Sequence, residues 1–347
     1  MIERATELLA KARAALSLLG KRAPVGSTPA DVVYSSNKMR LLRYRRADPS
    51  RPARATVLCV PSLINRHYVL DLLPGRSLVE HLAADNLDVW MIDWGRPRAE
   101  DRYVSFDDVL DGQMRRAFEH VELAAGPRAG VSLLGYCMGG TLAAIFASLY
   151  PQRISALVCL TTPVDFSQGG VLSQWSQREN LDVDRIVDSL GNVPWPLMQA
   201  SFHMLVPTSL AQKALLLYDR LGDDEFTDGF VALETWGNDN VDFPGEAYRR
   251  YIRELYQENR LLHGTLAVRG RPARLDAIRA PLLNVIAEGD HIVPPPSARC
   301  LEQLVSSDKR QTWELRGGHI GAIVSRRAKA AFWPRLSQWL VDNQRRG

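Results

Sequence analysis

Leu133-Leu134-Gly135-Tyr136-Cys137-Met138-Gly139-Gly140 reads as a buried strand running into a nucleophile elbow, with cysteine where serine is usual. In a G-x-nucleophile-x-G turn the central side chain stands exposed on a strained strand-to-helix bend, and the glycines let neighbouring backbone pass close to it. Apolar residues 131–134 before the bend and helix-forming residues 141–150 after it supply that context. The bland alternative is a glycine-rich turn that happens to hold a buried cysteine. Residues far downstream count against it.

After a second apolar run, residues 282–287, the chain turns through Glu288-Gly289-Asp290, and after a third, residues 311–315, through Arg316-Gly317-Gly318-His319. Nucleophile, acid and histidine therefore occur in the order expected of an α/β-hydrolase, each at the carboxyl end of a predicted core strand, where open α/β sheets build their sites. Cys137, Asp290 and His319 are the candidate catalytic residues. Asp290 as a cap for a helix near 297–304, and His319 as an ordinary loop histidine, are the simpler roles weighed against this. His291 competes for the base, but a side chain adjacent to Asp290 diverges from it. His81, His120, His203 and His263 read as helix-surface or lid residues.

Working outward, residues 29–46 look like a linker into an edge strand, and residues 55–60 like the first deeply buried strand. The loop that follows, Pro61-Ser62-Leu63-Ile64-Asn65-Arg66, is the expected source of one oxyanion-hole amide, from Ile64 or Leu63, with Met138 supplying the other. Asn65 and His67 near this loop, and Trp236 further on, are candidate substrate contacts. Further strands at 89–92 and 154–160 alternate with helical stretches, which predicts a mostly parallel sheet covered by helices. Alternation stops between about 165 and 270, where a segment rich in Trp, Pro, Met and Leu reads as an inserted lid. Trp195, Met198, Phe202, Met204 and Trp236 are candidates to line an acyl channel there, though core packing of the cap explains most of them equally simply. Residues 246–259 carry a helical pattern. The expected organisation is an N-terminal helix and edge strand in 1–45, hydrolase core in 46–164 and 271–347, and the lid in 165–270.

The chain's 347 residues, 46% hydrophobic and 24% charged, describe one large globular unit with an insertion. A net charge of +4 with no basic cluster interleaved with aromatics argues against a nucleic-acid partner. The cysteines Cys59, Cys137, Cys159 and Cys300 show no metal spacing and read as thiols in a reducing compartment; no metal is expected. Ile2, Ala5, Leu8, Leu9, Ala12, Leu16 and Leu19 recur at helical spacing among charges, an amphipathic helix rather than a signal peptide. No apolar run reaches the roughly 18 residues a membrane span needs.

Ordered motifs along nearly the whole chain carry a family likeness. They are Val33-Tyr34 to Asn37-Lys38 and Leu41-Leu42-Arg43-Tyr44; Ile64-Asn65-Arg66 to Tyr68-Val69-Leu70-Asp71-Leu72; Ile92-Asp93-Trp94-Gly95; Gly135 to Thr141; Thr162-Pro163-Val164-Asp165-Phe166; Trp236 with Asp239; Asp290-His291 with Val293-Pro294-Pro295; and Gly317-Gly318-His319-Ile320-Gly321. The chain resembles the polyhydroxyalkanoate synthase family, most closely the short catalytic subunits of its two-subunit classes, class III above all and class IV next. That resemblance implies Cys137 as nucleophile with Asp290 and His319 as its partners, and Met138 as an oxyanion amide. It also implies polymerisation of a short (R)-3-hydroxyacyl-CoA such as 3-hydroxybutyryl-CoA, with CoA leaving as part of the substrate and no cofactor. A small second subunit, a homodimer of the catalytic chain and a cytoplasmic location at polyester granules belong to the same expectation. Pro61-Ser62, where the family commonly has two prolines, and Arg326-Arg327, where a small residue is usual, depart from the pattern and touch channel shape and partner contacts rather than a catalytic group. A thioesterase, polyester depolymerase or dienelactone-type enzyme would use the same three residues but release an acid. A non-catalytic granule-surface subunit would be expected to have lost one of them.

Overall fold

The computed structural model describes residues 20–127 and 129–345, together with residues 11, 15 and 18; for Ser209 and Leu210 only the backbone is described. The expected amphipathic helix at the N-terminus falls mostly outside the described residues.

Eight strands form one sheet: β1 (Ala30–Ser36), β2 (Met39–Tyr44), β3 (Thr56–Val60), β4 (Asp88–Asp93), β5 (Val131–Tyr136), β6 (Ile154–Leu160), β7 (Leu282–Ala287) and β8 (Arg310–Leu315). Their spatial order is β1-β2-β4-β3-β5-β6-β7-β8. From β4 to β8 every neighbouring pair is parallel, whereas β1 and β2 run antiparallel at one edge. Every residue of β3 to β7 is buried, as strands covered on both faces must be. Alternating side chains feed two cores. Leu58, Val60, Leu133, Leu157 and Cys159 pack with helices Arg115–Ala125 and Met138–Leu149, and Val57, Cys59, Leu134, Tyr136 and Val158 pack with helices Leu78–Ala84 and Trp333–Asp342.

The predicted linker at 29–46 is in fact a complete hairpin. Asn37, at φ 55°, takes the left-handed conformation that a tight turn demands and that Asn tolerates well, so both arms pair. Strand order reverses between β3 and β5, since the chain leaves β3 for β4 on one side and returns as β5 on the other. A crevice opens at such a switch point outside the carboxyl ends of the strands. Here it receives the loop after β3 and the elbow after β5.

Between β6 and β7 the span read from sequence as a lid, called the cap below, is helical from Gly170 to Gln257 apart from its turns. Helices Gly170–Trp175, Val183–Leu190, Trp195–Met204, Ser209–Asp219, Asp224–Asn238 and Gly245–Arg250 are followed by a π-helix, Tyr251–Gln257. Local chemistry starts several of them: the Asp182 and Asp223 carboxylates accept the amides of Arg185 and Phe226, each at 3.0 Å. The single helix expected over 246–259 thus changes its hydrogen-bonding pattern halfway. Such wider turns are frequent at functional sites, and this one carries Tyr251, Ile252 and Tyr256 to the edge of a cavity.

Candidate active site

Cys137 sits between the end of β5 and the first turn of helix Met138–Leu149, with φ 55° and ψ −127°. A non-glycine residue in this region carries strain of about 1–3 kcal/mol, which the surroundings must hold in place. They do so through close backbone contacts. A Cβ on Gly135 would overlap Gly140, one on Gly139 would overlap the Val60 carbonyl, and one on Gly140 would overlap the Thr162 side chain. The Cys137 amide donates to the Leu160 carbonyl at 2.9 Å, tying the elbow to β6.

Asp290 lies three residues past β7 and is 4% exposed. Its Oδ1 accepts the amides of Ile292 and Val293 at 2.9 and 2.8 Å, and its Oδ2 lies 2.7 Å from His319 Nδ1. The Gly289 amide donates to the Gly317 carbonyl at 3.0 Å, so the two loops are held together as well as their side chains. With Nδ1 committed to Asp290, Nε2 is the ring nitrogen left free, and His319 and Cys137 line one cavity together. Burial disfavours the imidazolium, but the Cys137 and Asp290 charges and hydrogen bonds outweigh it and push the His319 pKa up to about 10. The Tyr136 ring lies 5.3 Å from the imidazole, centre to centre, and its buried hydroxyl has no hydrogen-bond partner among the described residues. The sequence places Cys137, Asp290 and His319 at one rim; the structure hydrogen-bonds Asp290 to His319 and sets His319 and Cys137 on one cavity. His291 is exposed, away from this arrangement.

Met138 is the first residue of its helix, where amides have no acceptor within the helix. Ile64 lines the same cavity as Met138, whereas Leu63 is buried and lines neither cavity at Cys137. One cavity, of about 160 Å³, is walled by apolar groups including Met198, Phe202, Tyr251, Ile252, Tyr256 and Val293. The other, of about 400 Å³, is lined by His319 and by polar groups including Asn65, His203, Lys213, Asn238 and Asn240. Ile64, Cys137, Phe202 and Ile292 belong to both.

The three candidate substrate contacts divide. Asn65 lines the polar cavity but spends its amide on the Asn240 side-chain oxygen, at 2.6 Å. Trp236 lines the same cavity while its indole N–H donates to the Arg66 carbonyl at 2.9 Å. His67 faces the buried Asp93 at 3.3 Å and is not among the residues lining either cavity. Of the lid residues, Met198 and Phe202 line the apolar cavity, Trp195 lines neither, and Met204 is 62% exposed. Tyr136, Tyr251, Asp239 and Asn240 were not singled out as site residues from sequence, although Asp239 was tied to Trp236 in the family motif. No cluster of three or more His, Cys, Asp or Glu side chains able to hold a metal ion occurs among the described residues.

Comparison with known proteins agrees with this architecture. A family described as alpha/beta hydrolase fold matches residues 55–325, and one described as the N-terminus of poly-beta-hydroxybutyrate polymerase (PhaC) matches residues 9–82. The poly(3-hydroxyalkanoate) polymerase subunit PhaC of Allochromatium vinosum is 37% identical over 91% of this chain and 89% of its own length. Its counterpart in Synechocystis is 35% identical over 92% and 86%. The longer one of Haloferax mediterranei is 33% identical over 93% of this chain, which spans 66% of it. Among solved structures, a monoglyceride lipase of Saccharomyces cerevisiae superposes with a TM-score of 0.56 at 12% identity, covering 92% of this chain and 98% of its own. At that identity the likeness speaks for the fold alone. With these relatives matched along nine-tenths of its length, the chain belongs to the poly(3-hydroxyalkanoate) polymerase family, built on the alpha/beta hydrolase fold.

Proposed function

We propose that the chain is the catalytic subunit of a poly(3-hydroxyalkanoate) polymerase, an acyltransferase that joins short 3-hydroxyacyl units from their CoA thioesters. The observation that carries this reading is Cys137 on the elbow, sharing a cavity with the His319–Asp290 pair and open to a second, smaller cavity on its other wall.

A thiol is the apt acceptor for a thioester, because exchange between sulfurs costs little free energy, and the imidazole takes the proton as the thiolate forms. The Cys137 thiolate adds to the thioester carbonyl. The amides of Met138 and Ile64 hold the tetrahedral oxyanion, a contribution of about 3 kcal/mol per donor in related chemistry. Collapse expels the CoA thiolate, which takes the proton from His319. Chain growth then needs a hydroxyl deprotonated while its oxygen attacks the acyl carbon on sulfur; collapse breaks the C–S bond, leaves the new ester and returns the Cys137 sulfur, which recovers the proton from the base. His319 is the better base for that step, since it lines the polar cavity, whereas Asp290 is saturated by two amides and the imidazole and lines neither cavity. The small apolar cavity beside Cys137 suits a short acyl group, and its walls keep water from the thioester.

No cofactor enters this scheme; CoA arrives and leaves with the substrate. A small second subunit, a homodimer of this chain and a location at polyester granules are part of the same proposal, and sedimentation of the chain with and without the candidate subunit tests the assembly. No helix among the described residues is long and apolar enough to cross a membrane. The deciding experiment incubates the chain, alone and with the candidate subunit, with 3-hydroxybutyryl-CoA and follows CoA, polymer and free acid. Polymer formation that vanishes in Cys137→Ala is expected. CoA release yielding only 3-hydroxybutyrate would reassign the chain as a thioesterase, and no CoA release in either mixture would favour a non-catalytic subunit.

A further inference from the structure

The loop that offers the Ile64 amide hangs between two anchors. One belongs to the core: the Trp94 indole donates to the Pro61 carbonyl at 2.9 Å, and Gly139 packs directly on the Val60 and Pro61 carbonyls. The other belongs to the cap. The Val241 amide donates to the Ile64 carbonyl at 3.3 Å, the Asn65 amide group donates to Asn240 at 2.6 Å, the Trp236 indole donates to the Arg66 carbonyl at 2.9 Å, and the Tyr68 hydroxyl donates to Asp239 at 2.6 Å. Asp239 is itself gripped by Arg96 and faces Arg66 at 3.8 Å. Four positions of one short loop are thus tied, nearly in register, to residues 236–241 of the cap, a segment some 170 residues away in sequence.

We infer that segment 236–241 sets the oxyanion amide: Trp236, Asp239 and Asn240 are positioning residues that hold the Ile64 peptide in place for acyl transfer. The Val241 bond fixes the Ile64 carbonyl, in the peptide that follows the Ile64 amide, and with the bonds at 65, 66 and 68 it restrains that amide from its carboxyl side. Oxyanion donors act by being aimed before charge develops, so a loosened loop loses rate without losing the nucleophile. A displaced cap would widen access to Cys137 and at the same moment disarm it. Acyl transfer is therefore confined to the seated cap.

This inference rests on Cys137 and Ile64 acting as proposed above. Its test uses the full chain, with its partner subunit if one is needed, in Tyr68→Phe, Trp236→Phe and Asn240→Ala. First-turnover CoA release from 3-hydroxybutyryl-CoA is measured beside the rate at which iodoacetamide alkylates Cys137, a displacement that needs no oxyanion hole. Removal of a whole donor costs about 10²- to 10³-fold in rate, so loosening one is expected to slow acylation about 10- to 100-fold. Alkylation should stay within about twofold of wild type in all three, and KM should do so in Tyr68→Phe, whose side chain lines neither cavity. Wild-type acylation in all three variants, or alkylation slowing in step with acylation, would overturn the inference. Tyr68→Phe loses a single oxygen and keeps the ring, so it gives a folded variant even where the other two do not. Cys137→Ala separates the two levels of the argument. Persistent CoA release there overturns the nucleophile assignment and this inference with it, whereas CoA release lost there but normal in the three variants overturns the inference alone.

Discussion

The two cavities that meet at Cys137 share Ile64, Phe202 and Ile292 as walls, yet one is closed in by Leu172, Met198, Tyr251 and Val293 while the other gathers Asn65, His203, Lys213, Asn240 and His319. A thioester needs both environments. Its acyl chain gains by leaving water, roughly 25 cal/mol for each Å² of apolar surface buried, whereas the proton transfers need a base and polar groups that water and hydroxyls can reach. Both cavities reach one sulfur, and His319, with Asn65, Lys213 and Asn240, lines only the larger of them.

Removing the shared sulfur should have the largest effect: Cys137→Ala is expected to lower CoA release by about 10³-fold or more, read as first-turnover CoA. Next comes an asymmetry. Filling the apolar side with Ile252→Trp should lower kcat/KM for 3-hydroxybutyryl-CoA by about 10- to 100-fold, because overpacking leaves no room for the acyl group, while alkylation of Cys137 by iodoacetamide changes by about twofold at most. Equal losses in both assays would mean that the cavities are not separate routes. On the polar side, Lys213→Ala, which breaks an ion pair with Glu234, should change KM by only about two- to fivefold. A larger fall in kcat than in KM would give that side a chemical role beyond binding.

A smaller effect concerns pH. The folded chain holds the His319 proton up to about 10, above the ordinary 6.5, so its contribution to stability is complete below about pH 6.5 and disappears as pH climbs through 10. The Tm difference between wild type and His319→Gln should therefore shrink between pH 7 and pH 10. A difference that stays constant would remove the coupling of His319 to Cys137 and Asp290. Smallest is the background of other thiols. Burial pushes Cys59 and Cys159 up to about 12 and Cys300 up to about 11, so peptide mapping after brief alkylation at pH 7.5 should find the label on Cys137 and almost none on these three.

The sheet, the elbow and the loops that carry Asp290 and His319 are legible in the sequence because each leaves a local pattern. Continuous apolar runs identify strands covered on both faces, glycine spacing identifies the elbow, and chain order identifies the acid and the base. The insertion itself is legible as a break in the alternation, but the contacts its side chains make are not. Trp236 reads from sequence as a candidate substrate contact and does line a cavity, but its bond to the loop depends on an indole N–H meeting a carbonyl 170 positions away, which no local pattern encodes. His67 drew attention by standing near the oxyanion loop, yet the buried Asp93, held by Arg40 as well, turns it aside. The hairpin at β1 and β2 was missed for a different reason: a turn of two residues leaves almost no signature beyond an asparagine able to adopt a positive φ.

The glycines around Cys137 carry a consequence for how such enzymes change. Gly135, Gly139 and Gly140 are fitted against backbone and side chain of the neighbouring strand ends, so no larger residue is admitted at any of the three. The side chain at 137 points away from that seam and meets no such limit. The bend is therefore indifferent to which reactive atom it presents, and exchanging sulfur for oxygen there leaves the scaffold untouched while altering which bonds can be traded. Diversification on this fold is free at the tip and forbidden at the seam, so new chemistries can arise by single substitutions without a new architecture.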